Sequence, residues 1–245
     1  MGVSGMISRP QYSFLFILGL MSVFATIIGH GIVGLWRGNL IDERNKLSLS
    51  RFQLVIWTFV VLSGYLAAAL WNIAHASVDS HPLAIAIPKE LWWLMGISTI
   101  SLAASPLVLS LKQAMTPDPK VTVVEERKEE KERMIEDLKL QNLHSDAIGT
   151  QGKIVFWKWL EDARLADLFQ GDEIATQAKL DLGKVQMFFF TLILAFAYVA
   201  MLLHQFSNAT GPISEFPALD QSMIALLGIS HAGYLTNKGV PHGAE

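Results

Sequence analysis

Residues 52–74 read FQLVIWTFVVLSGYLAAALWNIA, a run without a single Asp, Glu, Lys or Arg. Its length is close to the ~20 apolar residues that an α-helix needs to cross ~30 Å of hydrocarbon. Backbone polar groups cannot remain unpaired in lipid, and a helix pairs all of them within itself. The run therefore predicts a transmembrane helix.

Other blocks of the chain have the same character. Clear apolar blocks of similar length occupy residues 13–36, 91–111 and 185–206, and a weaker one occupies residues 219–237. The last block contains Gly, Ser, His and Asn, so a re-entrant or interfacial segment is the alternative to a full span. We expect an all-α integral membrane protein with five transmembrane helices, the fifth being the least certain to cross.

The overall composition agrees with a membrane protein and excludes several classes of site. The chain is 51% hydrophobic and 17% charged, whereas soluble domains carry about 25% charged residues. It has no cysteine, which excludes disulfides, thiolate catalysis and iron–sulfur clusters. Its net charge of −3 gives no indication of nucleic-acid binding.

The basic residues predict an orientation, because loops rich in Lys and Arg stay in the cytoplasm. Such residues are concentrated in segments 37–51 and 112–184, whereas Arg9 and Lys89 would lie outside. We therefore expect a cell (inner or plasma) membrane protein with an external N-terminus and with both segments cytoplasmic. Lys238 joins the cytoplasmic group only if the fifth block crosses.

An internal repeat organises the chain. LSLSRFQLVIWTFVVLSGYL (47–66) aligns with LDLGKVQMFFFTLILAFAYV (180–199), and LMGIS (94–98) aligns with LLGIS (226–230). These matches predict that residues 47–111 and 180–240 are two copies of a helical hairpin, with helix 1 standing alone. Both copies begin in the cytoplasm, so the repeat is parallel and predicts a pseudo-two-fold axis along the membrane normal.

The segment between the copies divides the chain into parts 1–112, 113–184 and 185–240. Residues 123–143 are predicted to form a solvated helix, because helix formers and i,i+4 ion pairs dominate there. Residues 153–170 are predicted to form an amphipathic helix. Trp157, Lys158 and Trp159 in this helix suit the headgroup boundary; a small soluble core is the alternative interpretation.

Polar groups at membrane depth are costly and often functional. The candidates for a pore or polar path are His30, His231, Gln53, Gln186, Thr58 and Thr191. Hydrogen bonding between helices is the alternative role for each of them. A pair of haem sites is a further hypothesis, and its ligands would be His30, His231, His75 and His204.

Small residues predict where helices approach one another closely. Helix 1 carries Gly29, Gly31 and Gly34, and helix 5 carries Gly228, Ala232 and Gly233. We expect helix 1 to pack against helix 5, either within a subunit or between subunits.

Three functions fit these observations. The first is an oligomeric channel or transport-related assembly in the bacterial inner membrane. The second is a non-catalytic accessory or scaffold subunit of a larger membrane complex, and the third is a haem electron carrier. We find no nucleotide-binding, zinc-protease or serine-hydrolase motif, and we expect no enzymatic activity. The expected partners are the lipid bilayer and copies of the chain or other membrane subunits.

Overall fold

The fold is a bundle of long helices with a small β-hairpin. The computed structural model describes residues 9–75, 81–114, 136, 147–173, 176–177 and 179–240. The helices are α1 (Pro10–Val33), α2 (Leu49–Ala74), α3 (Lys89–Ala114), α4 (Leu182–Ser207) and α5 (Gln221–Gly239). Of the helix predicted over residues 123–143, all except Glu136 lies outside the described residues.

Four of these helices, α1 to α4, are long and apolar enough to cross a membrane. Each has 24 or 26 residues, or roughly 36–39 Å at 1.5 Å per residue. They contain the apolar blocks predicted at 13–36, 52–74, 91–111 and 185–206, apart from the last residues of the first block. The chain is therefore a multi-pass membrane protein, as the sequence predicted.

The bundle has two distinct ends. Residues 34–48 and the described residues of the range 147–181 lie together at one end, which we call the domain end, where Trp157 N–H donates to the Arg44 carbonyl. Residues 81–88 and 208–220 meet at the opposite end, where Ala86 N–H donates to the Ser214 carbonyl. Successive helices therefore run in alternating directions between the two ends.

Helices α2, α3, α5 and α4 form a closed ring in that order, each packed against two neighbours, and α1 packs outside against α2 and α4. Within the subunit, α1 therefore does not pack against α5 as predicted. The predicted two-fold axis does not fit either. Such an axis would exchange α2 with α4 and α3 with α5. It cannot place α2 beside α4 and α3 beside α5 around a ring while keeping α2 away from α5 and α3 away from α4. The two hairpins lie side by side instead.

Helix α5 extends between the two ends although it is the shortest. It has 19 residues, or about 28 Å of helix. Its first residue, Gln221, reaches Glu90 at 3.5 Å near the opposite end, and Lys238 in its last turn contacts Ser105 of α3. A fifth membrane span remains a prediction, since the four apolar helices do not include α5.

The opposite end is held by neutral hydrogen bonds. The Asn72 amide donates to the carbonyls of Pro82 and Ile213 at 3.1 and 2.8 Å, and its own oxygen accepts from Ile213 N–H at 2.7 Å. The Trp71 indole donates to the Gly211 carbonyl. One buried amide thus joins α2 to both loops at this end.

The predicted amphipathic helix over residues 153–170 is wrong. Strands β1 (Ile148–Gln151) and β2 (Ile154–Trp157) form an antiparallel hairpin instead, followed by short 3-10 turns at 160–162 and 165–168. Gly152 supplies the positive φ of 58° at the hairpin turn, and the following IVFW run is rich in residues that favour strands. The described part of the insertion is therefore not a helical domain.

Candidate functional site

Two groups of buried polar residues adjoin one another in this fold. The first, which we call the charge cluster, lies at the domain end and consists of Asp42, Arg44, Lys46, Lys112, Asp172, Glu173, Lys184 and Lys238. The second, which we call the polar column, lies among the ring helices and consists of Ser50, Gln53, Ser98, Ser101, Ser105, Thr191, Ser230 and His231.

Asp172 is the centre of the charge cluster. One carboxylate oxygen lies 2.7 Å from Arg44 and 2.9 Å from Lys184. The other lies 3.2 Å from Lys238. Burial alone would raise the pKa of Asp172, but the three cations outweigh it and hold that pKa well below its usual range. A single carboxylate therefore joins the 37–48 loop, the start of α4 and the end of α5.

Arg44 is positioned by a tight loop. Asn45 takes the left-handed conformation, at φ 57°, and its side-chain amide donates to the Trp157 carbonyl at 2.7 Å. This fixes the loop against β2, so that Arg44 reaches both Asp42 and Asp172. Burial disfavours its charge, yet the two carboxylates raise the pKa of Arg44 above its ordinary value.

Lys46 is the least favourably placed cation in the cluster. It is only 2% exposed, contacts the Gln177 side-chain oxygen and lies 5.4 Å from the centre of the Trp157 ring. Burial lowers the pKa of Lys46 to about 7; nearby Arg44 acts in the same direction, and Asp167 opposes it. Near neutral pH this amine is therefore only partly protonated.

Lys112 connects the end of α3 to the charge cluster. Its ammonium contacts Glu173 and donates to the Val240 carbonyl at 2.8 Å. Helices α3, α4 and α5 thus each supply one buried lysine to the domain end. These lysines and Arg44 are the functional candidates that the sequence interpretation missed.

The polar column begins where Lys238 contacts Ser105. The Ser50 and Ser101 hydroxyls lie 3.0 Å apart one turn deeper in the bundle. One turn deeper again, the Gln53 amide donates to Thr191 at 2.7 Å. Buried polar contacts therefore continue from the charge cluster into the membrane bundle.

Several buried side-chain atoms near the inner end of the column have no protein hydrogen-bond partner. They are Gln53 Oε1, Trp57 Nε1, Tyr198 OH, Ser230 Oγ and both ring nitrogens of His231. Since about nine in ten buried polar atoms have a partner, each exception calls for an explanation such as a bound water or ion.

The structure separates the predicted path residues. His231, Gln53 and Thr191 are buried in the ring. His30 and Gln186 are exposed, and Thr58 is half-buried. The Gln53–Thr191 bond has no counterpart between the repeat-equivalent residues, because Gln186 faces outward. The repeat itself remains a prediction.

The four histidines proposed as haem ligands have different surroundings, and the haem hypothesis remains a prediction. His30 packs against Trp36, and His75 stacks on Trp71 with ring centres 3.7 Å apart. His204 is exposed beside Asn208, whereas His231 is buried in α5. Within the described ranges, no group of three or more His, Asp or Glu side chains could hold a metal ion.

The predicted small-residue faces have mixed outcomes. Gly29 is buried and approaches the loop residues Gly38 and Asn39. Gly228 faces Ile97 of α3 at ordinary contact distance. Gly31, Gly34 and Gly233 face open space, and Ala232 is exposed.

The three residues predicted to lie at the lipid headgroups also differ in their exposure. Trp157 is fully buried in the small core of the hairpin, where its indole donates to Asp167 at 3.0 Å. It therefore does not face lipid headgroups. Lys158 and Trp159 are exposed.

A cavity of about 320 Å³ adjoins the charge cluster. Its lining includes Lys112, Lys179 and Lys238, together with Asp172 and Glu173. The N-terminal residues of α4, Leu182 and Gly183, complete one wall. Lys238 thus lies between this cavity and the first serine of the polar column.

No protein-family model, curated protein or solved structure matches the chain. The geometry of the site is therefore the basis for its functional interpretation.

Proposed function

We propose that the protein is a transport-related membrane protein in which the polar column is the path for a small polar or charged solute. The observation that carries this proposal is the run of buried polar contacts from Lys238 through Ser105, past Gln53 and Thr191, toward His231. Polar groups at membrane depth are expensive and mark solute or ion pathways. The cavity beside Lys238 would be the entrance at the domain end.

The direction of access follows from the distribution of basic residues. Segments 37–51 and 112–184 carry most of the Lys and Arg, which favours a cytoplasmic domain end in a cell membrane. Beyond the column, Val60, Leu94, Leu194 and Leu227 fill the ring with apolar side chains. We propose that this apolar layer is the barrier that closes the path toward the outer side.

An oligomer of such bundles is part of the proposal. Gly31, Ala232 and Gly233 leave small residues on the outside of α1 and α5. Small residues let membrane helices of neighbouring subunits approach closely. Light scattering of the purified protein in nanodiscs would measure the number of subunits, and a monomer would contradict this part of the proposal.

Solute flux into liposomes tests the path. We expect the reconstituted protein to pass small ions, and we expect His231→Ala and Gln53→Leu to change the rate about tenfold or more. His30→Ala is the matched control, because His30 is exposed on α1. Absence of any flux would overturn the transport proposal. Equal flux in all variants would overturn the assignment of the path to the polar column.

An accessory subunit is the second candidate. The hairpin region exposes Trp159 and Leu165, at 52% and 71% of their surface, beside a domain end that is rigidly held by ion pairs. Purification in mild detergent with intact partners tests this function. Isolation of a complex that needs Trp159 and Leu165 would favour it, and isolation of the chain alone would contradict it.

A further inference from the structure

The wall of the cavity at the domain end carries charges of both signs in equal number. Its lining includes three lysines and three carboxylates, namely Lys112, Lys179, Lys238, Asp172, Glu173 and Asp181. A ligand with a single charge would meet as many like charges as opposite charges there, and like charges at short range repel. A balanced wall of this kind favours a ligand that carries both charges itself.

Four of these six charges are buried and paired with one another. Lys112 pairs with Glu173, and Lys238 pairs with Asp172 at 3.2 Å. Each of the four residues is at most 9% exposed. The two pairs hold the fold together at the inner wall, so the remaining two charges are the ones that a ligand can use.

The remaining two charges lie on one extended segment. Lys179 and Asp181 flank Leu180, which pairs with Gln170 in an antiparallel bridge, and Asp181 N–H donates to the Phe169 carbonyl at 2.8 Å. Side chains two residues apart on an extended chain leave the backbone on the same side, about 6–7 Å apart. Lys179 is exposed and Asp181 is half-buried, so solvent and small solutes reach both.

The protein does not neutralise either of these charges. Within the part of the chain that the structure describes, Lys179 forms no ion pair. Asp181 Oδ1 accepts a hydrogen bond from Lys184 N–H at 3.2 Å, and its other carboxylate oxygen accepts none from the described residues. An ammonium and a carboxylate side by side at a cavity are complementary to the carboxylate and the ammonium of a zwitterion.

The cavity also has an apolar part and a modest size. Leu109, Leu180 and Leu182 belong to its lining. Leu180 and Leu182 are 63% and 72% exposed, so their apolar surface is open to a ligand. The volume of about 320 Å³ is near the lower limit of the ~300–1,000 Å³ usual for small-molecule sites. A zwitterion with a short aliphatic side chain matches both properties.

We propose that the cavity at the domain end binds a small zwitterion of the α-amino acid class. Its carboxylate contacts Lys179, its ammonium contacts Asp181, and its aliphatic side chain lies against Leu180 and Leu182. The proposal rests on the proposed transport function, whose entrance this cavity is, and names the class of polar solute. An ethanolamine phospholipid headgroup also combines an ammonium with an acidic group, so the experiment separates the two sources.

Saturable binding of tritiated L-leucine to the full-length protein tests the site without requiring transport. The protein is placed in nanodiscs of phosphatidylglycerol, which has no zwitterionic headgroup. The competitors are isoamylamine, which is leucine without its carboxylate, and isocaproate, which is leucine without its ammonium. We expect each to bind about tenfold more weakly than leucine. An analogue that binds as tightly as leucine would contradict the proposal, as would the absence of binding by leucine, alanine and glycine alike.

Two variants assign the two charges. Lys179→Met should weaken leucine binding about tenfold and leave the affinity for isoamylamine unchanged. Asp181→Ser keeps a side chain that can cap α4; it should weaken leucine binding and leave the affinity for isocaproate unchanged. Lys158→Met is the matched control, because Lys158 is also exposed but lies outside the cavity lining. Wild-type leucine affinity in both site variants would overturn the assignment.

Two further comparisons separate the lipid source and the transport function. Equal leucine binding after phosphatidylethanolamine is added to the nanodiscs supports a free amino acid. Loss of leucine binding in that lipid would assign the site to the headgroup and overturn the proposed solute. Leucine binding without leucine flux into liposomes would support the site and contradict the transport function. Ion flux without leucine binding would do the reverse.

Discussion

The two ends of the bundle are closed by different chemistry. At the domain end, buried ion pairs join Asp172, which follows the β-hairpin in the chain, to Arg44 of the 37–48 loop and to lysines of α4 and α5. At the opposite end, the two loops are joined by the neutral side chain of Asn72 and by backbone pairing. A buried charge is costly unless it is paired. The domain end is therefore the more sensitive to the loss of one partner, and the following predictions test that difference.

Asp172→Asn should have the largest effect. It leaves Arg44, Lys184 and Lys238 buried around a neutral amide, and breaking a buried ion pair by removing one partner costs about 3–5 kcal/mol. The free energy of unfolding in mixed micelles measures the loss. Glu43→Gln is the matched control, since Glu43 pairs with Arg51 at the surface and such pairs contribute about 0–1 kcal/mol. Similar losses in both variants would contradict the comparison.

Among substitutions of uncharged residues at the opposite end, Asn72→Ala should cause the largest loss in the free energy of unfolding. It leaves the N–H and carbonyl of Ile213 and the Pro82 carbonyl without this partner. An unsatisfied buried group costs about 1–3 kcal/mol, so we expect a loss of about 2–3 kcal/mol. Asn208→Ala at the same end is the control, because Asn208 is exposed. A loss larger than that of Asp172→Asn would reverse the comparison.

Gly38→Ala tests the packing of the loop against α1. A Cβ atom at Gly38 would lie 2.6 Å from the Gly29 carbonyl oxygen, so backbone must move. Overpacking of this kind typically costs about 1–3 kcal/mol. Gly31→Ala faces open space and should be nearly neutral in the monomer. Thermal unfolding of the two variants compares them, and equal Tm values would show that the close approach is not a constraint.

Lys46 predicts a pH dependence for the domain end. Its native pKa of about 7 lies below the ~10.4 of an unfolded lysine. Between these values the unfolded chain binds more protons, so this residue's contribution to stability increases as pH rises. The cost of burying the ammonium is fully present below pH 7.

The measurement is the difference in unfolding free energy between wild type and Lys46→Met from pH 6 to pH 9.5. We expect the wild type to gain relative to the variant as pH rises. Lys158→Met is the control, because Lys158 is exposed, and its difference from wild type should be flat. A flat difference for Lys46→Met would mean that its amine titrates normally.

The apolar helices could be predicted because lipid imposes one simple requirement on length and composition. Blocks 52–74 and 185–206 lie inside α2 and α4, which begin three residues earlier and end at most one residue later. The hairpin could not be found by the same reasoning. Trp157 and Leu160 have helical spacing, but strand-favouring residues and Gly152 decide the local structure there.

The charge cluster was harder still to predict. A lysine at the end of a membrane helix commonly extends to the lipid headgroups, so the position of Lys184 gives no sign of a buried ion pair. Lys184 instead bonds Asp172, which precedes it by only 12 residues. Lys238 and Arg44 come from distant segments, and their meeting depends on the order of helices around the ring. Gln53, a candidate for the polar path, is buried in the ring, whereas its repeat equivalent Gln186 is exposed; their role in a path remains a prediction.

The position of Lys238 has a consequence for how the protein is made. The cations around Asp172 come from residues 44, 184 and 238, so the domain end cannot be completed until α5 has been synthesised and packed against α3 and α4. Lys112 likewise cannot donate to the Val240 carbonyl until that residue, which follows α5, has been synthesised. A nascent chain that stops after α4 exposes unfinished ion pairs at the membrane surface, which distinguishes it from the complete fold during biogenesis.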